Sequence, residues 1–307
     1  MQTIPTVDMD LFLHGTPEQK LLTAKKFGEA LQKIGFVAIT STGVSSVTID
    51  KAYLAAEQYF KLPEKIKLKT RTANQHHGFT PFGTEHAKYT PTIDLKEFFQ
   101  TTGPSHPDNV WPDDFEFKNT ILKLYSELEN CMKHCLQATA IYLGYTDEKQ
   151  QTILSDMLGE GHGVMRILHY PPVDPTHSPK GAVRSAPHED LGIMTIIPRT
   201  TRPGLQVLTH DNQWIDVVIP HDAAIVNSGD VLNLMTNGLI PSTTHRVINP
   251  DDQDYSDRYS IPFFGNLIPT TRLSILDRCR NNNKLSEEET TFSEFMLKRY
   301  HDIGLKN

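Results

Sequence analysis

Cysteine is scarce: the 307-residue chain has three, Cys131, Cys135 and Cys279. Cys131 and Cys135 stand four apart in a helical pattern, which is half of a metal site, but no second pair is present to finish one. All three thiols therefore read as small core residues in a reducing compartment. Positive charge is in deficit too, and a net charge of −7 with a pI near 6.0 leaves no electrostatic footprint for nucleic acid or an anionic membrane. Long apolar runs are also missing. No stretch approaches bilayer-spanning length, and Met1-Gln2-Thr3-Ile4-Pro5 is not followed by the apolar core of a signal peptide. A cytoplasmic protein is the expectation, with a small-molecule substrate and neither nucleic acid nor membrane as a partner. Internal repeats and low-complexity segments do not occur.

The 38% of apolar residues and the mass of 34.7 kDa suffice for one large domain or a core with an appendage. Residues 4–13 predict a short opening strand and turn. Pro17 then opens a helix whose apolar positions Leu21, Ala24, Phe27, Leu31 and Ile34 recur every three or four residues, with Gly35 placed to stop it. Residues 36–40 read as a buried strand and 48–61 as a second helix. Residues 71–113 lose the periodicity and carry Gly78, Pro81, Gly83, Pro91, Gly103, Pro104, Pro107 and Pro112; such a stretch is a functional loop or lid, or plain surface packing. An amphipathic helix over 117–143, stopped by Gly144, is expected to brace the β-region C-terminal to it.

Beyond Gly161 the pattern changes to short strands, expected at 164–169, 188–197, 204–209, 213–219, 223–227, 230–235, 243–249 and 258–264. Turn residues such as Asp211-Asn212 separate them, the pattern of a sandwich or jelly roll. A final helix over about 285–302, with Phe292, Phe295, Met296 and Tyr300 at helical spacing, is expected to pack back on the barrel. The fold class is therefore mainly β with flanking helices (α+β). Its parts are an N-terminal α/β region over 1–115, bracing helices over 116–160, a jelly-roll core (a double-stranded β-helix) over 161–270 and a C-terminal helix over 271–307.

The chemistry centres on Ser185-Ala186-Pro187-His188-Glu189-Asp190. In an extended strand residues i and i+2 share a face, so His188 and Asp190 would project together and Glu189 oppositely. One more histidine from another strand, His245 in Thr244-His245-Arg246, would complete two imidazoles and a carboxylate on one side of a metal. That leaves the opposite positions open, as in non-haem Fe(II) oxygenases. The same doublet at His106-Pro107-Asp108 lies between Pro104 and Trp111-Pro112, a loop context, and reads as a decoy. The copy at His188 runs into the strand-like residues 191–197. Taken singly, each histidine is more often hydrogen-bonded or exposed than a ligand. Arg258-Tyr259-Ser260 is a further i, i+2 pair: a guanidinium fork grips a carboxylate and a neighbouring hydroxyl adds a bond, where the plain reading is a surface ion pair. Pro262 and Phe264 continue that face as an apolar wall.

With these motifs in this order, the chain resembles the isopenicillin N synthase-like family of Fe(II)- and 2-oxoglutarate-dependent dioxygenases over nearly its full length. The likeness rests on residues 4–8, 78–86, 94–98, 166–172, His188-x-Asp190, 204–207, 226–230, 245–247 and Arg258-x-Ser260. It implies an N-terminal region of the non-haem dioxygenase type, Fe(II) on His188, Asp190 and His245, and the distal carboxylate of 2-oxoglutarate on Arg258 and Ser260. Tyr170 would reach the other end of that co-substrate, O2 would be consumed, and succinate and CO2 released. Hydroxylation is the first expectation, ahead of desaturation or ring closure. Asp190 counts against halogenation, because halogenating relatives lack that carboxylate.

The chain departs from the family at Leu168, where many relatives have Asn, and in a longer hairpin tip with Asp251, Asp252 and Asp254. Leu168 keeps open an oxidase of the isopenicillin N synthase kind proper, without 2-oxoglutarate, in which Arg258 and Ser260 hold the substrate's own carboxylate. A metal-binding jelly roll without turnover is the alternative of another class. Phe79, Phe82, Arg184 and Phe264 are candidates to line the substrate pocket. Arg184, with Arg199 and Arg202, would suit an anionic substrate, against the plainer reading of solvated surface arginines.

Overall fold

The first elements form where local chemistry favours them. In the computed structural model, which describes residues 3–73, 76–86, 92–172, 178–250, 256–280 and 290–302, β1 (Thr6–Asp8) leads into α1 (Asp10–Leu13). Where a plain turn was expected, the Asp8 carboxylate accepts from the Asp10 amide at 3.1 Å and Phe12 is buried, which winds the turn into a helix. The next helix, α2 (Pro17–Ile34), starts at a Thr16–Gln19 capping box and stops at Gly35, whose φ of 70° is left-handed. β2 (Phe36–Thr40) and α3 (Ser46–Phe60) follow as their periodicity predicts, and α4 (Glu64–Lys67) after them. The Gly/Pro-rich stretch contributes β3 (Gly78–Thr80) and β4 (Glu97–Thr101), whose three to five residues are too short to show a period. Asp114 caps α5 (Phe115–Tyr142), and α6 (Ile153–Leu158) is packed against it.

The barrel region supplies β5 (Val164–Tyr170), β6 (Ser185–His188), β7 (Met194–Ile197), β8 (Leu205–Leu208), β9 (Trp214–Asp216), β10 (Ala224–Ser228), α7 (Asp230–Met235), β11 (His245–Val247), β12 (Arg258–Ser260) and β13 (Phe263–Gly265). A small pair, β14 (Arg272–Leu273) and β15 (Thr290–Thr291), precedes α8 (Phe292–Asp302). Three expected strands are corrected, the first being 258–264, which divides at Ile261-Pro262 into β12 and β13. The run 188–197 breaks into β6 and β7 around a loop that holds Asp190. Residues 230–235 are helical, because Val231, Leu232 and Met235 bury at i, i+1 and i+4 rather than alternating. Residues 285–289 of the expected last helix, and Asp251, Asp252 and Asp254, lie outside the described residues.

Strand order in the large sheet is β1-β2-β10-β7-β13-β5-β4-β3, with β12 also on β5; the smaller sheet runs β6-β11-β8-β9. Strands β1 to β4 thus extend the barrel wall itself. Alternation sorts the large sheet's side chains. On its outer face Val37, Phe99, Ile167, Ile196 and Val226 join Phe27 and Leu31 of α2 and Leu128 and Leu136 of α5. On its inner face Phe36, Ala38, Phe98, Leu168, Tyr170 and Ile225 meet Leu205, Val207 and Val247 of the smaller sheet. The two sheets therefore enclose a jelly-roll interior. Among the described residues no helix is long and apolar enough to cross a membrane.

Candidate metal centre

Strand pairing delivers the two imidazoles. His188 ends β6, His245 begins β11, and the two are antiparallel register partners with ring centroids 4.4 Å apart. Each Nδ1 sits on a backbone carbonyl two residues back, Ala186 at 2.8 Å and Thr243 at 3.1 Å. A carbonyl only accepts, so Nδ1 carries the hydrogen in both rings and both Nε2 lone pairs are free for a metal.

Asp190 arrives differently from the expectation of an i, i+2 strand pair. It lies in the loop after β6, docked on the start of α7 by the amides of Asp230 to the Asp190 carbonyl (2.8 Å) and of Val231 to the Gly192 carbonyl (3.2 Å). Only glycine fits at 229, where a Cβ would stand 2.2 Å from the Gly192 carbonyl oxygen. The Asp190 Oδ2 accepts from Thr195 Oγ1 at 2.6 Å and Asn227 Nδ2 at 2.8 Å. Its Oδ1 is left 4.0 Å from His188 Nε2 and 3.8 Å from His245 Nε2. The three donor atoms lie within 4.8 Å of one another, the one such group among the described residues.

Electrostatics holds them in metal-ready forms. Burial, and then the neighbouring His245, push the His188 ring down to about 4. Burial alone would raise the Asp190 carboxyl, but the charges of His245 and His188 and the bonds from Asn227 and Thr195 hold it below its ordinary value. A neutral imidazole and an ionised carboxylate are the protonation states a metal takes, and two nitrogens with one oxygen suit non-haem Fe(II).

Farther along the inner face, Arg258 is the register partner of Tyr170, and Ser260 of Leu168. Arg258 is 1% exposed; its Nε donates to the carbonyls of Arg202 and Pro203 and its guanidinium lies 4.9 Å from the Tyr170 ring. Its Nη1 is buried with no hydrogen-bond partner, so the plain reading of a surface ion pair fails here. A polar cluster lies within electrostatic reach of Tyr170 and His188. Lys96 Nζ bonds Asp94 (2.7 Å) and Glu85 (3.0 Å), and Glu85 bonds Arg166 (3.1 Å). No role was assigned to Thr195, Asn227, Glu85, Lys96 or Arg166 from the sequence, although all but Thr195 lie in the motifs at 78–86, 94–98, 166–172 and 226–230.

The pocket candidates separate. Phe79 is corrected: it pairs with Phe99 and packs on Tyr59 on the helix side of the sheet, away from the interior. Phe82 is 47% exposed. Phe264 pairs with Thr195, the Asp190 partner, and lies 5.9 Å from the Arg166 guanidinium. Arg184 is buried and donates to the Ser256 carbonyl, so it is not a solvated surface arginine, and Arg199 bonds Asp50. In the second His-x-Asp copy the His106 Nδ1 accepts from the Asp108 amide and its ring stacks on His77.

Two family models match the chain: non-haem dioxygenase in morphine synthesis N-terminal over residues 4–114, and 2OG-Fe(II) oxygenase superfamily over residues 161–266. A 2-oxoglutarate-dependent dioxygenase of Monascus ruber is 30% identical, over 88% of this chain and 86% of the relative. The chain belongs to the 2OG-Fe(II) oxygenase superfamily. A 2-oxoglutarate-Fe(II) type oxidoreductase of Metarhizium rileyi is 29% identical, over 85% of this chain and 80% of that one. A full-length Neurospora crassa protein, solved in complex with alpha-KG and thymine, superposes with a TM-score of 0.87 at 25% identity, over 97% of this chain and 96% of that one. A 2OG-Fe(II) oxygenase family protein of Caulobacter crescentus superposes with a TM-score of 0.86 at 29% identity, over 99% and 100%. The oxygenase is thus an Fe(II)- and 2-oxoglutarate-dependent oxidoreductase with a jelly-roll core, and both the oxidase without 2-oxoglutarate and the jelly roll without turnover give way.

Proposed function

We propose that the oxygenase hydroxylates a small organic molecule, with Fe(II) on His188, Asp190 and His245 and the distal carboxylate of 2-oxoglutarate on Arg258 and Ser260, beside Tyr170. When bound, iron and 2-oxoglutarate supply O2 activation coupled to oxidative decarboxylation. The observation that carries the co-substrate assignment is the buried Arg258 Nη1 with no partner. Leaving such a donor unpaired is costly, and a carboxylate would satisfy it while Ser260, two residues on along the same face, donates beside it. Leu168, 8% exposed and opposite Ser260, gives the co-substrate an apolar flank in place of an amide. Phe36, edge-on to His245 at 5.5 Å, helps keep water from the metal side.

The substrate is read as small because the related solved structures hold thymine or 5-formyluracil with alpha-KG; Phe264 and Arg166 are the groups best placed to meet it. The segments 1–115, 116–160, 161–270 and 271–307 work as one body, since the first supplies strands to the barrel wall. A cytoplasmic setting suits three buried free thiols. Incubation with candidate substrates under 18O2 tests hydroxylation. A product that gains one labelled oxygen supports it, and a product that only loses two hydrogens sinks it in favour of desaturation.

A further inference from the structure

We propose that His169 is a positioning residue for 2-oxoglutarate, a clasp on the outer face of the barrel wall that fixes Arg258 on the inner face. Along β5, Leu168 and Tyr170 belong to the inner cluster, so His169 between them projects outward. It is 7% exposed there. Its Nδ1 lies 2.7 Å from Glu97 Oε1 on β4, and its Nε2 lies 2.6 Å from Asp257 Oδ1, on the residue next to Arg258. Both partners are carboxylate oxygens, so the ring ties β4 to the residue beside Arg258 through two short hydrogen bonds. The Glu97 Oε2 is taken by Lys67 Nζ at 2.7 Å, which leaves Glu97 ionised.

The ring also lies flat on Tyr259, with centroids 4.8 Å and planes 12° apart. His169 therefore grips the residues on both sides of Arg258, while the backbone carbonyls that hold Arg258 itself take only its Nε. The far end of the guanidinium, with Nη1 unpartnered, is aimed by the placement of the three-residue strand β12, and that placement is what the clasp sets. A strand this short has few ladder bonds of its own, so charge-assisted side-chain bonds at its end weigh heavily in its position.

The inference rests on the reading of Arg258 as the carboxylate anchor. Calorimetric titration of the full-length, Mn(II)-loaded protein with 2-oxoglutarate tests the two separately, using His169→Gln, Asp257→Asn and Arg258→Ala. We expect the Kd to rise about tenfold in the first two, the scale of one charged hydrogen bond, with Mn(II) affinity unchanged. In turnover, the KM for 2-oxoglutarate should rise while kcat at saturation moves less than about twofold. If Arg258→Ala weakens binding but neither His169→Gln nor Asp257→Asn does, the clasp is wrong and the anchor stands. If Arg258→Ala leaves the Kd unchanged, both fall. A lower melting temperature at unchanged Kd also overturns the proposal, since it marks a merely structural contact. Should His169→Gln fail to fold, Asp257→Asn decides alone: its side chain is 44% exposed, so the change removes the charge from the clasp without disturbing the core.

Discussion

The Oδ1 of Asp190 lies 3.8 Å from Nε2 of His245, although one residue comes from the loop after β6 and the other from the first position of β11. The metal group exists only once the smaller sheet has paired and that loop has docked on α7. Two separate sets of contacts thus converge on one set of donor atoms.

Removing a member of the set should remove the metal. His188→Ala and Asp190→Ala are expected to abolish Fe(II) binding and turnover, whereas His106→Ala should change neither. Metal content after anaerobic loading and desalting checks this, and full occupancy in either of the first two would contradict the assignment.

Asn227 is not a metal ligand, yet it holds Oδ2 of Asp190 and so aims Oδ1. Asn227→Ala should weaken Fe(II) affinity by about 10- to 100-fold, as loss of a bond that orients a metal ligand does. Chelator competition measures it, and an affinity equal to wild type would show that Thr195 alone suffices.

Glu85 gives an acid-side test. Burial would raise its carboxyl, but Arg166 and then Lys96 hold it at about 2, against an ordinary 4.5. The unfolded chain takes up this proton first as pH falls, so the contribution to stability is complete above 4.5 and is lost on the way to about 2. Melting temperature followed across that window should fall more steeply in wild type than in Glu85→Gln; parallel curves would contradict the pairing.

Much of this was legible in the sequence where side chains repeat with a period or stand two apart. The helix at 17–34 shows both its face and its stops, and His188, Asp190, His245, Arg258 and Ser260 stood out as short polar pairs in strand-like surroundings. What escaped depended on pairing between distant segments. The helix at 230–235 looked like a strand because its apolar run is short. Phe79 could not be assigned to a face until β3 was known to pair with β4 in the register Phe79 to Phe99. Lys96 and Glu85 are ordinary charged residues until the barrel buries them together.

At the centre of the proposed chemistry, Arg258 anchors 2-oxoglutarate beside iron held by His188, Asp190 and His245. Anaerobic titration of the Fe(II)-loaded protein with 2-oxoglutarate tests this most directly, through the weak visible charge-transfer band of a chelated keto acid. We expect the band to grow to saturation in wild type and Arg258→Ala to need about 100-fold more co-substrate to reach it, the cost of removing a buried charge partner. Iron binding with no band at any concentration, or equal saturation in Arg258→Ala, would contradict it.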